Sequence, residues 1–120
     1  MDLRETYLHL LDGGAASEVP VTPTFWQEIQ GRADLEEGRM VMRFDFAGDW
    51  PTWEVHPHGD EIVVVLAGTM TLHLEGGPSQ TLQAGQGALI PRGRWHTADV
   101  AEAASALFIT PGRGTQNRPR

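Results

Sequence analysis

The chain has no cysteine and no lysine. Without cysteine there are no disulfides, no thiolate metal sites and no cysteine nucleophile, so any metal must be held by nitrogen and oxygen. All nine basic residues are arginines, set against 16 acidic residues for a net charge of −7. Basic clusters are missing as well. The only grouping is the sparse Arg113, Arg118 and Arg120, which argues against nucleic acid as a partner. No apolar run approaches the length of a membrane span, and Met1-Asp2-Leu3-Arg4-Glu5 lacks the basic start and apolar stretch of a secretory signal. The expectation is a soluble, cytoplasmic protein with no membrane partner. Familiar catalytic signatures are also absent. Ser17, Ser79 and Ser105 have no nucleophile-elbow context, no glycine-rich phosphate loop precedes a helix, and no His-Glu-x-x-His occurs.

What is present fits one domain, since 120 residues can bury a single core and are too few for two. Leu3, Leu8, Leu10 and Leu11 give a short helical pattern that Gly13-Gly14 ends, and Phe25 to Ile29 predicts another helical turn. From Arg39 the period changes to two: Met40, Met42, Phe44 and Phe46 alternate with Val41, Arg43 and Asp45 as in a half-buried strand. Further strands are predicted at 52–57, 61–67, 69–75, 79–83, 87–90, 94–100 and 104–110, separated by short turns rich in Gly, Pro or Asp. Short strands at this spacing indicate an all-β antiparallel sandwich or barrel, with the jelly roll as the natural candidate. The expected organisation is an N-terminal helical or irregular segment over 1–38, a barrel over 39–111 and a surface tail over 112–120. The strand Glu61 to Leu66 is apolar on both faces after its first residue, so its outer face needs a cover. Either the N-terminal segment or a second subunit supplies it, and a homodimer is favoured because symmetric dimers are the commonest oligomers.

Two segments carry the chemistry. The first runs Gly48, Glu54, His56, His58, Glu61, Gly68, and the second runs Gly85, Pro91, Gly93, His96. Residues 54, 56 and 58 have the same parity on one strand, so their side chains share a face. If Pro57 to Asp60 form a loop, His56 lies across from Glu61 with Glu54 a step deeper. If only Gly59-Asp60 turn, His58 faces Glu61 instead. Ile90-Pro91-Arg92-Gly93 predicts a turn that sends 94–100 back along 87–90 and returns His96 to the same region. His56, Glu61 and His96, with Glu54 or His58 as fourth ligand, form a nitrogen and oxygen set that suits Fe(II), Mn(II), Ni(II) or Zn(II). Glycines 68, 85 and 93 are read as turn residues, and Trp50, Trp53 and Trp95 as packing groups or pocket lining.

These segments resemble the paired motifs of the cupin superfamily. In this chain five residues separate Gly48 from Glu54, one separates Glu54 from His56, four separate His56 from Glu61 and six separate Glu61 from Gly68. Glutamate stands at position 54, where the family motif has its first histidine. The second motif matches at Gly85, Pro91, Gly93 and His96, with Val100 where the family has asparagine. The resemblance implies a cupin jelly-roll β-barrel (double-stranded β-helix) with the site inside it. It implies a metal-dependent enzyme of dioxygenase, isomerase or cyclase type acting on a small molecule. There His56, His58, Glu61 and His96 are the candidate metal ligands, and Glu54 and His58 the candidate catalytic groups. The alternative is a non-catalytic cupin that binds or senses a small ligand without metal.

Overall fold

In the computed structural model, which describes residues 1–120, the alternating pattern resolves into eleven strands. They are β1 (Thr6–Leu10), β2 (Ala16–Pro20), β3 (Arg39–Phe46), β4 (Thr52–Val55), β5 (Glu61–Ala67), β6 (Thr69–Leu74), β7 (Ser79–Gln83), β8 (Gly87–Ile90), β9 (His96–Asp99), β10 (Ala104–Thr110) and β11 (Gln116–Pro119). One short helix, α1 (Phe25–Glu28), and three single 3-10 turns complete the chain. The six-stranded sheet has the order β2-β1-β3-β10-β5-β8 and the five-stranded sheet the order β11-β4-β9-β6-β7. All pairings are antiparallel. The two sheets remain separate, each with its own edges, so the fold is two facing antiparallel sheets and not a closed barrel. No helix is long and apolar enough to cross a membrane.

The core lies between the sheets and is built by strand parity. Met40 and Met42 of β3, Val63 and Val65 of β5, Met70 and Leu72 of β6, and Ala106 and Phe108 of β10 all point inward and are buried. Gly68 joins β5 to β6 in the left-handed region at φ +74, and a Cβ there would sit 2.3 Å from the Ala103 carbonyl oxygen, so only glycine fits.

Two expectations are corrected. Thr6–Leu10 is a strand and not a helix, because Tyr7 and His9 alternate inward against their neighbours; with β2 it extends the larger sheet as a hairpin. The expected helical turn does form at Phe25–Glu28. The closing residues lie mostly at the surface, with β11 paired along β4 from Gln116 opposite Val55 to Pro119 opposite Thr52. Lastly, neither β4 with β5 nor β8 with β9 makes a hairpin. β4 and β9 belong to the five-stranded sheet, β5 and β8 to the six-stranded one, and the chain crosses between sheets at each junction. Pro57 and Pro91, which have no N–H to give a ladder, follow the strands at these crossings. Gly59 stays outside the left-handed region that a Gly-Asp type II′ turn needs.

Candidate metal centre

The two crossings bring the motif residues together. The Gly93 N–H donates to the His56 carbonyl at 3.0 Å, and the Arg92 N–H donates to the Asp60 carboxylate at 2.8 Å, so the loops are bonded to each other. Gly93, at φ +76, is the third residue of a turn closed by the Arg94 N–H on the Pro91 carbonyl. The smaller sheet then supplies Glu54, directly opposite His96 in the β4–β9 pair, and His56 one residue past β4. The larger sheet supplies Glu61 at the start of β5 and Thr110 at the end of β10.

Inside this group Glu61 lies between two imidazoles. Its Oε2 is 3.2 Å from His56 Nε2 and its Oε1 is 3.1 Å from His96 Nε2. All three side chains are buried, and the Thr110 hydroxyl donates to Glu61 Oε2 at 2.5 Å. Each imidazole is fixed from behind. His96 Nδ1 donates to the Arg94 carbonyl at 3.0 Å. His56 Nδ1 lies 2.9 Å from the Thr115 hydroxyl, whose own proton goes to the Gly112 carbonyl at 3.0 Å, so the ring nitrogen is the donor. In a neutral imidazole the proton on Nδ1 leaves a lone pair on Nε2, and both Nε2 atoms then face carboxylate oxygens. His56 Nε2, His96 Nε2 and Glu61 Oε1 have no aligned hydrogen bond. Buried acceptors turned on one another need a cation between them, either a proton or a metal ion.

A divalent ion fits this donor set. Glu54, His56 and His96 each offer one ligand atom, all within 4.8 Å of one another, and Glu61 touches both imidazoles. Separations of 3.1 and 3.2 Å are those of neighbouring donors around one ion bonded at about 2.0–2.2 Å. Hydrogen bonds behind both imidazoles are the usual support for ligating histidines.

The electrostatics follow from burial. Where protons rather than a metal ion balance the group, burial opposes the charge on Glu61, but the protonated Nε2 sides of His56 and His96 outweigh it and hold the carboxyl down at about 2. Burial likewise works against a charged His96, and Glu61, the Arg94 carbonyl and Glu54 overcome it and raise its pKa. Glu54 is pushed up, first by burial and then by the negative charge of Glu61.

His58 does not join the group. Its side chain is exposed beside Gly114, because the chain leaves the sheet after Val55 and the same-face parity of 54, 56 and 58 ends there. Glu54 pairs with neither nearby arginine: Arg43 lies 3.6 Å from Asp45, and Arg94 donates to the Glu75 carbonyl. Thr110 and Thr115 escape sequence reasoning, since threonine is common in strands and loops and nothing in the spacing marks these two.

Glu54, His56 and Glu61 line one part of a cavity of about 950 Å³, whose walls also include Phe25, Trp26, Phe44, Phe46, Trp50 and Phe108. Trp50 is thus a cavity residue, whereas Trp53 and Trp95 lie outside it, stacked with the Arg118 guanidinium at 5.7 and 4.3 Å.

Comparison with known proteins agrees with this arrangement. Residues 40–110 match the family described as the cupin domain. Among solved structures, a cupin-2 domain containing protein from Shewanella frigidimarina is 26% identical with a TM-score of 0.54, over 68% of this chain and 71% of that one. A cupin-like protein from Thermotoga maritima is 22% identical with a TM-score of 0.59, over 68% and 65% of the two chains. An oxalate oxidase in complex with glycolate is 24% identical with a TM-score of 0.55; the match covers 65% of this chain but only 45% of that one. No curated protein matches the sequence.

Proposed function

This chain belongs to the cupin domain family, and from that premise we propose that it is a metal-dependent enzyme acting on a small organic molecule held between the two sheets. The observation that carries the reading is the pair of buried imidazoles, each with Nδ1 engaged from behind and Nε2 left without a hydrogen-bond partner against Glu61. His56, His96 and Glu61 would hold the ion, with Glu54 beside them. A divalent ion there supplies Lewis acidity toward a substrate oxygen, and redox chemistry as well if it is iron or manganese. The rest is the work of the chain. Thr115 and the Arg94 carbonyl keep both imidazoles in the ligating tautomer, and Thr110 orients Glu61. Glu54 lines the cavity, where its carboxylate is placed to carry a proton to or from a bound molecule. The fold likeness to an oxalate oxidase, at 24% identity, is compatible with an oxidative reaction and does not select one.

A second reading, a ligand-binding cupin without metal, draws on the same geometry: a proton shared between His96 and Glu61 also balances the buried carboxylate. Metal content separates the two. Protein purified without a histidine tag is expected to hold stoichiometric divalent metal by elemental analysis, and His96→Ala to lose it. Added Mn(II), Fe(II), Ni(II) or Zn(II) at about a hundred times its dissociation constant stabilises the fold by about 2.7 kcal/mol. Metal-poor protein whose melting point ignores all four ions overturns the enzyme reading in favour of the second.

A further inference from the structure

The aromatic side chains of the cavity form one connected wall. Trp26 and Phe44 have ring centroids 5.9 Å apart, Phe44 and Phe108 5.6 Å, Phe108 and Trp50 6.0 Å, and Trp50 and His96 6.2 Å. Phe46 packs on Phe44, Trp50 and Phe108 within the same wall. Phe44 and Phe46 occupy inward positions of β3, as Met40 and Met42 do, yet unlike the methionines they are not fully buried. Both line the cavity, so their exposed ring surface faces it. Such surface is satisfied by an apolar ligand, and edge-on or offset contacts among rings favour an aromatic one. At the mouth, Trp26 is 54% exposed while it lines the same cavity.

Charge limits the polar part of the ligand. The lining holds Glu36, Asp45, Asp49, Glu54 and Glu61 against only Arg32 and Arg113. Arg32 is already paired with Asp34 at 3.0 Å and Asp45 with Arg4 at 3.0 Å, and Arg113, Glu36 and Asp49 are all exposed. With a divalent cation in place the lining still has no positive charge in excess to receive an anionic head group. An ammonium is disfavoured differently, having no lone pair to offer a metal ion. A neutral hydroxyl meets both conditions.

We propose that the ligand of this cavity is an uncharged, hydroxylated aromatic molecule, with its hydroxyl at the Glu54, His56 and Glu61 end and its aromatic part along the wall from Phe108 to Trp26. This rests on the metal-site reading and adds the substrate class to it. The test compares 2-naphthol, its saturated counterpart decahydro-2-naphthol and 2-naphthoate by titration calorimetry at neutral pH, on protein whose metal content is measured in the same sample. The expected result is 2-naphthol binding at least tenfold more tightly than either of the others, with Phe44→Leu reducing its advantage over the saturated alcohol. Equal binding of the saturated alcohol overturns the aromatic class, equal or tighter binding of 2-naphthoate overturns the uncharged head group, and no binding of any probe overturns both. Failure of the metal reading shows separately, as absent metal in the elemental analysis, while the ranking of the three probes still decides the ligand class.

Discussion

At the scale of single residues, Thr115 is the test of how the centre is held. Its hydroxyl receives the His56 Nδ1 proton and passes its own to the Gly112 carbonyl, a relay that leaves Nε2 free for a ligand role. Thr115→Val keeps the shape and removes the acceptor, so His56 loses the bond that fixes its tautomer and ring angle. Outer hydrogen bonds of this kind are worth roughly 10- to 100-fold in metal affinity. The expected outcome is a metal dissociation constant raised by about that factor, measured by competition with a chelator, with unfolding of the metal-free protein changed by under about 1 kcal/mol because Thr115 is only partly buried. Unchanged metal affinity would mean that His56 is oriented by packing alone. Sequence reading could reach His56, Glu61 and His96, since motif spacing records backbone geometry. It could not reach Thr115, whose role arises from a contact 59 positions away, and it carried strand parity past the last residue of β4 to His58, whose side chain lies apart from the group.

At the scale of elements, the strands of the smaller sheet are tied by a side-chain clamp on its outer face. His73 of β6 bonds Ser79 of β7 at 2.6 Å through Nδ1 and Asp99 of β9 at 2.7 Å through Nε2, and Arg120 meets Asp99 at 2.7 Å. The hydrogen bonds from His73 and then Arg120 lower the pKa of Asp99. A carboxyl lowered on folding contributes stability that is present above its unfolded value and is lost as pH falls through the folded one. Asp99→Asn therefore lowers the melting point near pH 6, by about 2 °C at most given the exposure of the pair, and the difference from the parent shrinks as pH falls through the lowered pKa of Asp99. Thermal melts at low and high salt check this, because salt should shrink the gap. Most of the strand boundaries were legible because their signals are local: β3 falls where period two places it, and β5, β7, β8 and β10 fall between the Gly, Pro and Asp turns that bound them. Strand partners were not legible. A turn that crosses between sheets and a turn that closes a hairpin use the same Gly and Pro residues, and the leucines of β1 fit a helical period almost as well as a strand.

At the scale of the whole molecule, the N-terminal segment answers a question that the apolar β5 strand raises. β1 and β2 join the larger sheet at its edge, and the helical turns after them line the cavity with Phe25, Trp26, Ile29 and Leu35, so neither part covers the sheet's outer face. Across that face the register aligns Leu8, Val41, Ile109, Ile62 and Leu89 in one row over five neighbouring strands. None of the five is fully buried, and Leu89 is 59% exposed. We propose that a second copy of the chain packs on this row about a two-fold axis, since a flat row of similar apolar side chains is complementary to itself. In a two-fold interface each substitution acts twice. Leu89→Arg, at a position exposed enough to leave the subunit fold intact, should weaken association by roughly 3 kcal/mol, or about 100-fold. Light scattering after gel filtration is expected to give twice the 13.2 kDa chain mass for the parent protein and a single chain mass for Leu89→Arg. A parent protein that runs as a monomer at about 100 μM would leave this face without a homodimer role. A Leu89→Arg variant that stays dimeric would move the contact elsewhere, to the sheet edge at β2 or β8, where unpaired backbone groups can extend a sheet from one subunit into the next.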